Sequence, residues 1–259
     1  MYILGLIISL LIGIVLGLVG GGGSILTVPL VHYVFGEPML MATTYSLFVV
    51  AVSASFGSIQ RIRSKEVDFH KAFIFVVPSM LTAVAIRMWI LPLVPINFDL
   101  FGLAVSRKTL ITILLIIVML YIALRTLFYN KPPKIEKVNP VTIVLFGILT
   151  GLLSGFIGAG GGFVIVPILL GMGLDMKKAV ATSMFIIAIQ SSVALIGDVF
   201  NPEIAGIGIN WPLLLAITGI TILGVFLGTI FQKKVTTSWL KKAFSFLLLI
   251  VAIGLLWKL

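Results

Sequence analysis

The chain has 259 residues, of which 60% are hydrophobic and 10% charged, with a net charge of +10 and a mean hydropathy of +1.27. A soluble core of this length cannot hide so much apolar surface, so the composition excludes a soluble globular protein and points to one that crosses a membrane several times. The absence of cysteine excludes disulfides, thiolate metal sites and a cysteine nucleophile.

In chain order, the apolar segment 2–19 runs into Gly20, Gly21, Gly22, Gly23 and Ser24, and a short apolar piece, 25–35, follows with Pro29 inside it. Nothing before Arg61 is basic, so the first segment lacks a charged leader and is expected to stay as a membrane helix. Segments 39–60, 72–91 and 109–129 come next, then the polar linker 131–139 and a segment at 140–157. A second small-residue run, Gly158, Ala159, Gly160, Gly161 and Gly162, precedes another short piece, 163–173, and segments 177–197, 210–231 and 240–257 complete the chain. The eight long segments are near the ~20 residues an α-helix needs to cross hydrocarbon, and the two short pieces are not. All are continuously apolar where a membrane barrel would alternate, which predicts an all-α polytopic membrane protein.

The two small-residue runs belong to an internal repeat. A shift of 138 lays Gly13, Gly17, Gly20 and Pro29 on Gly151, Gly155, Gly158 and Pro167, and a shift of 137 lays Ala42, Ser46 and Phe48 on Ala179, Ser183 and Phe185. The sequence therefore divides into a first membrane repeat, 1–130, a cytoplasmic linker and a second repeat, 140–259. Charge relates the halves. The loop after the third element carries Arg61, Arg63, Lys65 and Lys71 in half one, and no Lys or Arg around Asp198, Asn201 and Glu203 in half two. The preceding loop shows the reverse, with Glu37 in half one and Lys177 and Lys178 in half two. Because positive loops stay in the cytoplasm, equivalent loops lie on opposite sides, which predicts inverted repeats of five helical elements each, the short pieces returning toward the side they came from. Arg107, Lys108 and Lys258 are the exceptions to this pattern. The clustering of basic residues at segment ends, with no long loop to carry a basic surface, also excludes nucleic acid as a partner.

The paired glycine stretches ending in proline, followed in half two by Ala179-Val180-Ala181-Thr182-Ser183-Met184-Phe185 and by a weaker copy in half one, resemble the sulfite exporter TauE/SafE family of membrane permeases. Half one departs from the pattern with Ser24 against Gly162 and Tyr45 against Thr182. The resemblance implies transport of sulfite, sulfonates such as sulfoacetate, or related sulfur-containing anions, in a multi-pass protein of the cell membrane.

The residues themselves suggest an anion site. A short helix beginning after each glycine run aims its free N–H groups and the positive end of its dipole into the membrane interior. Four or five consecutive small residues differ from the one-in-four spacing of a helix-packing face, so Gly21, Gly22, Gly23, Ser24, Gly160, Gly161 and Gly162 are candidate substrate contacts. On the following helices Ser183 and Gln190 share a face, with Ser191 beside Gln190 and Thr182 beside Ser183, and Ser46 and Ser53 are their counterparts in half one. For any single Ser or Thr a bond to its own helix is the ordinary outcome. A mid-membrane primary amide needs several partners and is the stronger candidate. Arg87 is expected to snorkel to the outer surface, His32 to be a satisfied structural histidine, and Asp198 to end its helix at the surface. No catalytic set, cofactor site or His cluster for a metal is present in the sequence. The expected function is thus a secondary transporter working by alternating access, with an anion channel or a membrane-embedded enzyme or assembly factor as alternatives. The partners are a small anion, the lipid bilayer and, left open, a second copy in a homo-oligomer.

Overall fold

The computed structural model describes residues 2–100, 103–128, 140–232 and 237–257. The linker 131–139, together with Lys233, Lys234 and Lys258, lies outside the described residues. The framework is all-α. Half one contributes α1 (Tyr2–Val19), α2 (Ser24–Pro29, extended by a π-helical turn, Leu30–Val34), α3 (Met39–Arg63), α4 (Phe69–Ala85, extended through a π-helical turn to the short α5, Leu91–Leu93) and α6 (Arg107–Phe128). Half two contributes α7 (Pro140–Ile157), α8 (Gly162–Gly171), α9 (Met176–Val199), the short α10 (Pro202–Ile207), α11 (Trp211–Phe231) and α12 (Thr237–Leu256). A two-stranded antiparallel ribbon, β1 (Asn97–Leu100) and β2 (Leu103–Ser106), joins α5 to α6. Among the described residues, six helices are long and apolar enough to cross a membrane, and Ser24–Val34, Val141–Ile157 and Phe244–Leu256 are shorter apolar helices.

Four of the helices carry side-chain caps, and α3, which follows Pro38, does not. Asp68, Asp175, Asn201 and Asn210 each accept a backbone N–H of the first turn, which satisfies donors that a helix leaves unpaired. Helices α2 and α8 start inside the glycine runs, at Gly23 and Gly161, and have no side-chain cap. The runs also end the preceding helices: the amides of Gly20 and Gly158 donate to Leu16 and Ser154, four residues back, with φ of +73° and +75°. The short helix of half one turns back along α1, since the Phe35 ring lies 5.4 Å from that of Tyr2 at its far end.

Pairings between elements recur with the halves exchanged. Helix α1 packs along α11 as α7 packs along α4, and α11 meets α3 as α4 meets α9, while α3 with α9 and α6 with α12 pair across the middle. Glycines four apart make these contacts close. A Cβ on Gly17 would stand 2.5 Å from the Val225 carbonyl, and one on Gly155 2.7 Å from Cβ of Ile86. In a bilayer, where helices gain little from hiding apolar surface from lipid, such backbone approach supplies the packing. The spaced glycines thus hold helix pairs together.

Candidate functional site

The two glycine runs cross at the centre of the bundle. Gly21 and Gly162 touch backbone to backbone, a Cβ on either one reaching 2.5 Å from Cα of the other. Gly21 has φ of +118° and Gly161 of +67°, conformations that a side chain rarely adopts. The middle turns of α3 and α9 line this crossing: a Cβ on Gly160 would meet Val50 and the Ser191 hydroxyl at 2.9 Å each and Ile187 at 3.1 Å. A Cβ on Gly161 would stand 3.4 Å from the Gln190 amide nitrogen. Ser46, Val50 and Ser53 follow at i, i+4 and i+7, so the two serines lie one turn to either side of the residue that touches the run.

The polar side chains divide into two sets. Ser24 donates to the Gly21 carbonyl at 2.6 Å, Ser183 donates to the Gly20 carbonyl at 2.6 Å, and Thr182 accepts the Asp68 N–H at 3.0 Å. These three are engaged in holding the turns. Ser46, Ser53 and Ser191 have fully buried hydroxyls with no hydrogen-bond partner, and the Nε2 of Gln190 likewise has none, although its Oε1 accepts the Ser79 hydroxyl. Each unpaired buried polar group costs about 1–3 kcal/mol. Four of them lie on the two helices that flank one crossing. Among the glycines, Gly160 and Gly161 face these donors, whereas Gly22 packs on the Phe244 ring and Gly23 on the backbone of α1 at Ile12 and Leu16.

Buried arginines stand at both ends of the crossing. At the Met39 end, Nη1 of Arg87 reaches Oδ1 of Asp198 at 3.0 Å and the Thr43 hydroxyl at 3.1 Å, with Arg87 fully buried and Asp198 2% exposed. Both expectations for these residues are therefore corrected. Arg87 does not snorkel, because a carboxylate 111 positions away in sequence is folded against it, and Asp198 closes onto that guanidinium instead of meeting solvent. Opposite charges in otherwise apolar helices were the available signal that the two would pair. At the Arg63 end, Nη2 of Arg61 donates to the Gly17 carbonyl at 2.9 Å and to Oε1 of Gln232 at 2.8 Å. Beside it, a cavity of about 170 Å³ is lined by Gln60, Arg61, Ser64, Glu66, Lys177 and Gln232. His32 points its Nδ1 at the Glu37 carbonyl, 2.6 Å away. Arg107, an exception to the basic-loop pattern, is paired with Glu203. No cluster of three or more His, Asp or Glu able to hold a metal occurs among the described residues.

The model of the sulfite exporter TauE/SafE family matches residues 5–255. A protein of Haemophilus influenzae named "Probable membrane transporter protein" is 28% identical over 98% of this chain and 97% of its own length. One of the same name from Xylella fastidiosa is 29% identical over 96% of this chain and 92% of its own. No solved structure matches the chain.

Proposed function

Because the chain belongs to the sulfite exporter TauE/SafE family and is a multi-pass membrane transporter, we propose that it is a secondary carrier of the cell membrane, exporting a small sulfur-containing oxyanion or organosulfonate. The observation that carries this reading is the set of unpaired donors, on Ser46, Ser53, Gln190 and Ser191, around two uncapped helix starts. Helix α8 contributes the positive end of its dipole through Gly160, Gly161 and Gly162, and α2 with its π-helical extension contributes the other through Gly21. Hydroxyls and amides without a full charge bind an anion firmly enough to select it and loosely enough to let it go.

Alternating access fits the geometry better than a channel does. Gly21 meets Gly162 without an intervening gap, and each end is laced across the halves, by Arg87 with Asp198 and by Arg61 with Gln232. A carrier opens one lacing at a time. We read residues 1–130 and 140–259 as inverted repeats, so that the exchange of pairings between halves supplies two equivalent states, one open to each side. The inside-negative potential favours anion efflux by about 2.3 kcal/mol per charge per 100 mV, so export requires no ATPase.

Reconstituted liposomes test this directly. Sulfite and sulfoacetate flux, followed with the potential and the pH gradient set independently, is expected to saturate with substrate and to follow the potential. Non-saturating flux at channel rates would refute the carrier, and absence of flux for every sulfur oxyanion and sulfonate offered would refute the substrate class.

Topology has its own test, made clean by the absence of native cysteine. Asn201 is buried, so the informative positions are Lys65, which is exposed, and Gly206, which has open space around it. Single cysteines there should react with an impermeant thiol reagent from opposite sides, position 65 from the cytoplasm. Labelling of both from one side excludes the inverted arrangement.

A further inference from the structure

Arg87 is only partly used by the contacts that bury it. Both Asp198 oxygens, at 3.0 and 3.1 Å, and the Thr43 hydroxyl, at 3.1 Å, converge on Nη1 alone. Nε and Nη2, which together form the side-on edge of the guanidinium, have no partner although the residue is fully buried. Arginine is the side chain suited to two parallel hydrogen bonds to a planar or tetrahedral oxyanion, and here both donors of that edge are unpaired. It lies beside the second glycine run: a Cβ on Gly158 would stand 2.8 Å from Nη2 and closer still to the Thr43 carbonyl and Cβ, at 2.5 and 2.7 Å, so a side chain at 158 would press on the fork. One turn earlier on α7, Ser154 is also fully buried with an unpaired hydroxyl.

We propose that the Nε–Nη2 edge of Arg87, with Gly158 as its floor, is a charged subsite that takes two oxygens of a single sulfur oxyanion or sulfonate between the central crossing and the Met39 end. The inference rests on the transport reading above and adds to it a planar two-donor fork, which the central donors lack. Asp198 fixes the guanidinium from the opposite edge and offsets its charge, so the anion is held in orientation and remains free to leave. Arg61 at the other end is not its equivalent. Its Nη2 is spent on Gly17 and Gln232, and Nη1 faces Glu66 at 3.7 Å, which leaves Nε alone without a partner and no two-pronged face.

The test is equilibrium binding of sulfite and of sulfoacetate to purified full-length protein, by calorimetry. Arg87→Lys keeps a cation for Asp198 and loses the planar fork, so both dissociation constants should rise at least tenfold. The double variant Arg87→Gln/Asp198→Asn removes both charges together and so avoids an orphaned buried carboxylate, which protects folding. It should show the same loss. Lys108→Gln, which removes an exposed charge at the same end, should change affinity less than twofold and thereby exclude a general charge effect. A folded double variant with undiminished affinity overturns the subsite while leaving the transport reading intact. Wild-type protein that binds neither anion overturns both.

Discussion

Gln190→Glu is expected to reduce sulfite and sulfoacetate flux in liposomes about hundredfold, equivalent to ~2.8 kcal/mol, while the protein remains folded. Glutamate has the shape of glutamine and keeps an oxygen for the Ser79 hydroxyl that now donates to Oε1. What it removes is the amide nitrogen, the group that has no partner and stands beside Gly161. In its place is an oxygen that repels an anion when ionised and offers at most one donor when protonated. Gln190→Leu is the weaker experiment, since it also strands the buried Ser79 hydroxyl and mixes a folding penalty with a binding one. Undiminished flux in folded Gln190→Glu protein would assign Gln190 to structure alone.

Gly21→Ala is expected to abolish stable folding, seen as loss of the monodisperse species after detergent extraction. Two independent penalties coincide there. A φ of +118° strains any residue with a Cβ, by about 1–3 kcal/mol. The added carbon would also stand 2.5 Å from Cα of Gly162, where only backbone movement can relieve it, and overpacking of this kind costs roughly 1–3 kcal/mol more. Their sum, about 2–6 kcal/mol, reaches the lower end of native stabilities, about 5–15 kcal/mol, and is enough to unfold a marginally stable protein. Gly36→Ala is the control, because Gly36 has φ of +81° with nothing within 4 Å, and a modest fall in Tm is expected. If Gly21→Ala behaves like Gly36→Ala, the crossing is not close-packed. Gly161→Val carries the same double penalty, with φ of +67° and contact between its Cβ and the Thr150 side chain, so loss of binding in that variant would not distinguish ligand contact from packing.

The membrane class, the helices and the places where they break are legible in the order of the amino acids. Continuous apolar runs read as 39–60 and 210–231 became Met39–Arg63 and Trp211–Phe231, and the short pieces read as 25–35 and 163–173 became Ser24–Val34 and Gly162–Gly171. These features are legible because a helix in lipid must be apolar along its length and must satisfy its own backbone, both local requirements. The strands Asn97–Leu100 and Leu103–Ser106 are not legible in the sequence, since each is too short to show alternation against an apolar background.

Which of the candidate polar side chains are engaged depends on contacts between distant helices. Ser183 and Ser191 look alike in sequence, yet one is bonded to the Gly20 carbonyl and the other has no partner. The glycines at 13, 17, 151 and 155 looked like part of the same repeat as the runs, and close helix packing is what they do. Arg87 and Asp198 read as surface residues because each was judged against its own helix. A buried charge is tolerated only when a partner arrives from elsewhere in the chain, and which residues meet across distant helices is settled by packing that no local stretch encodes.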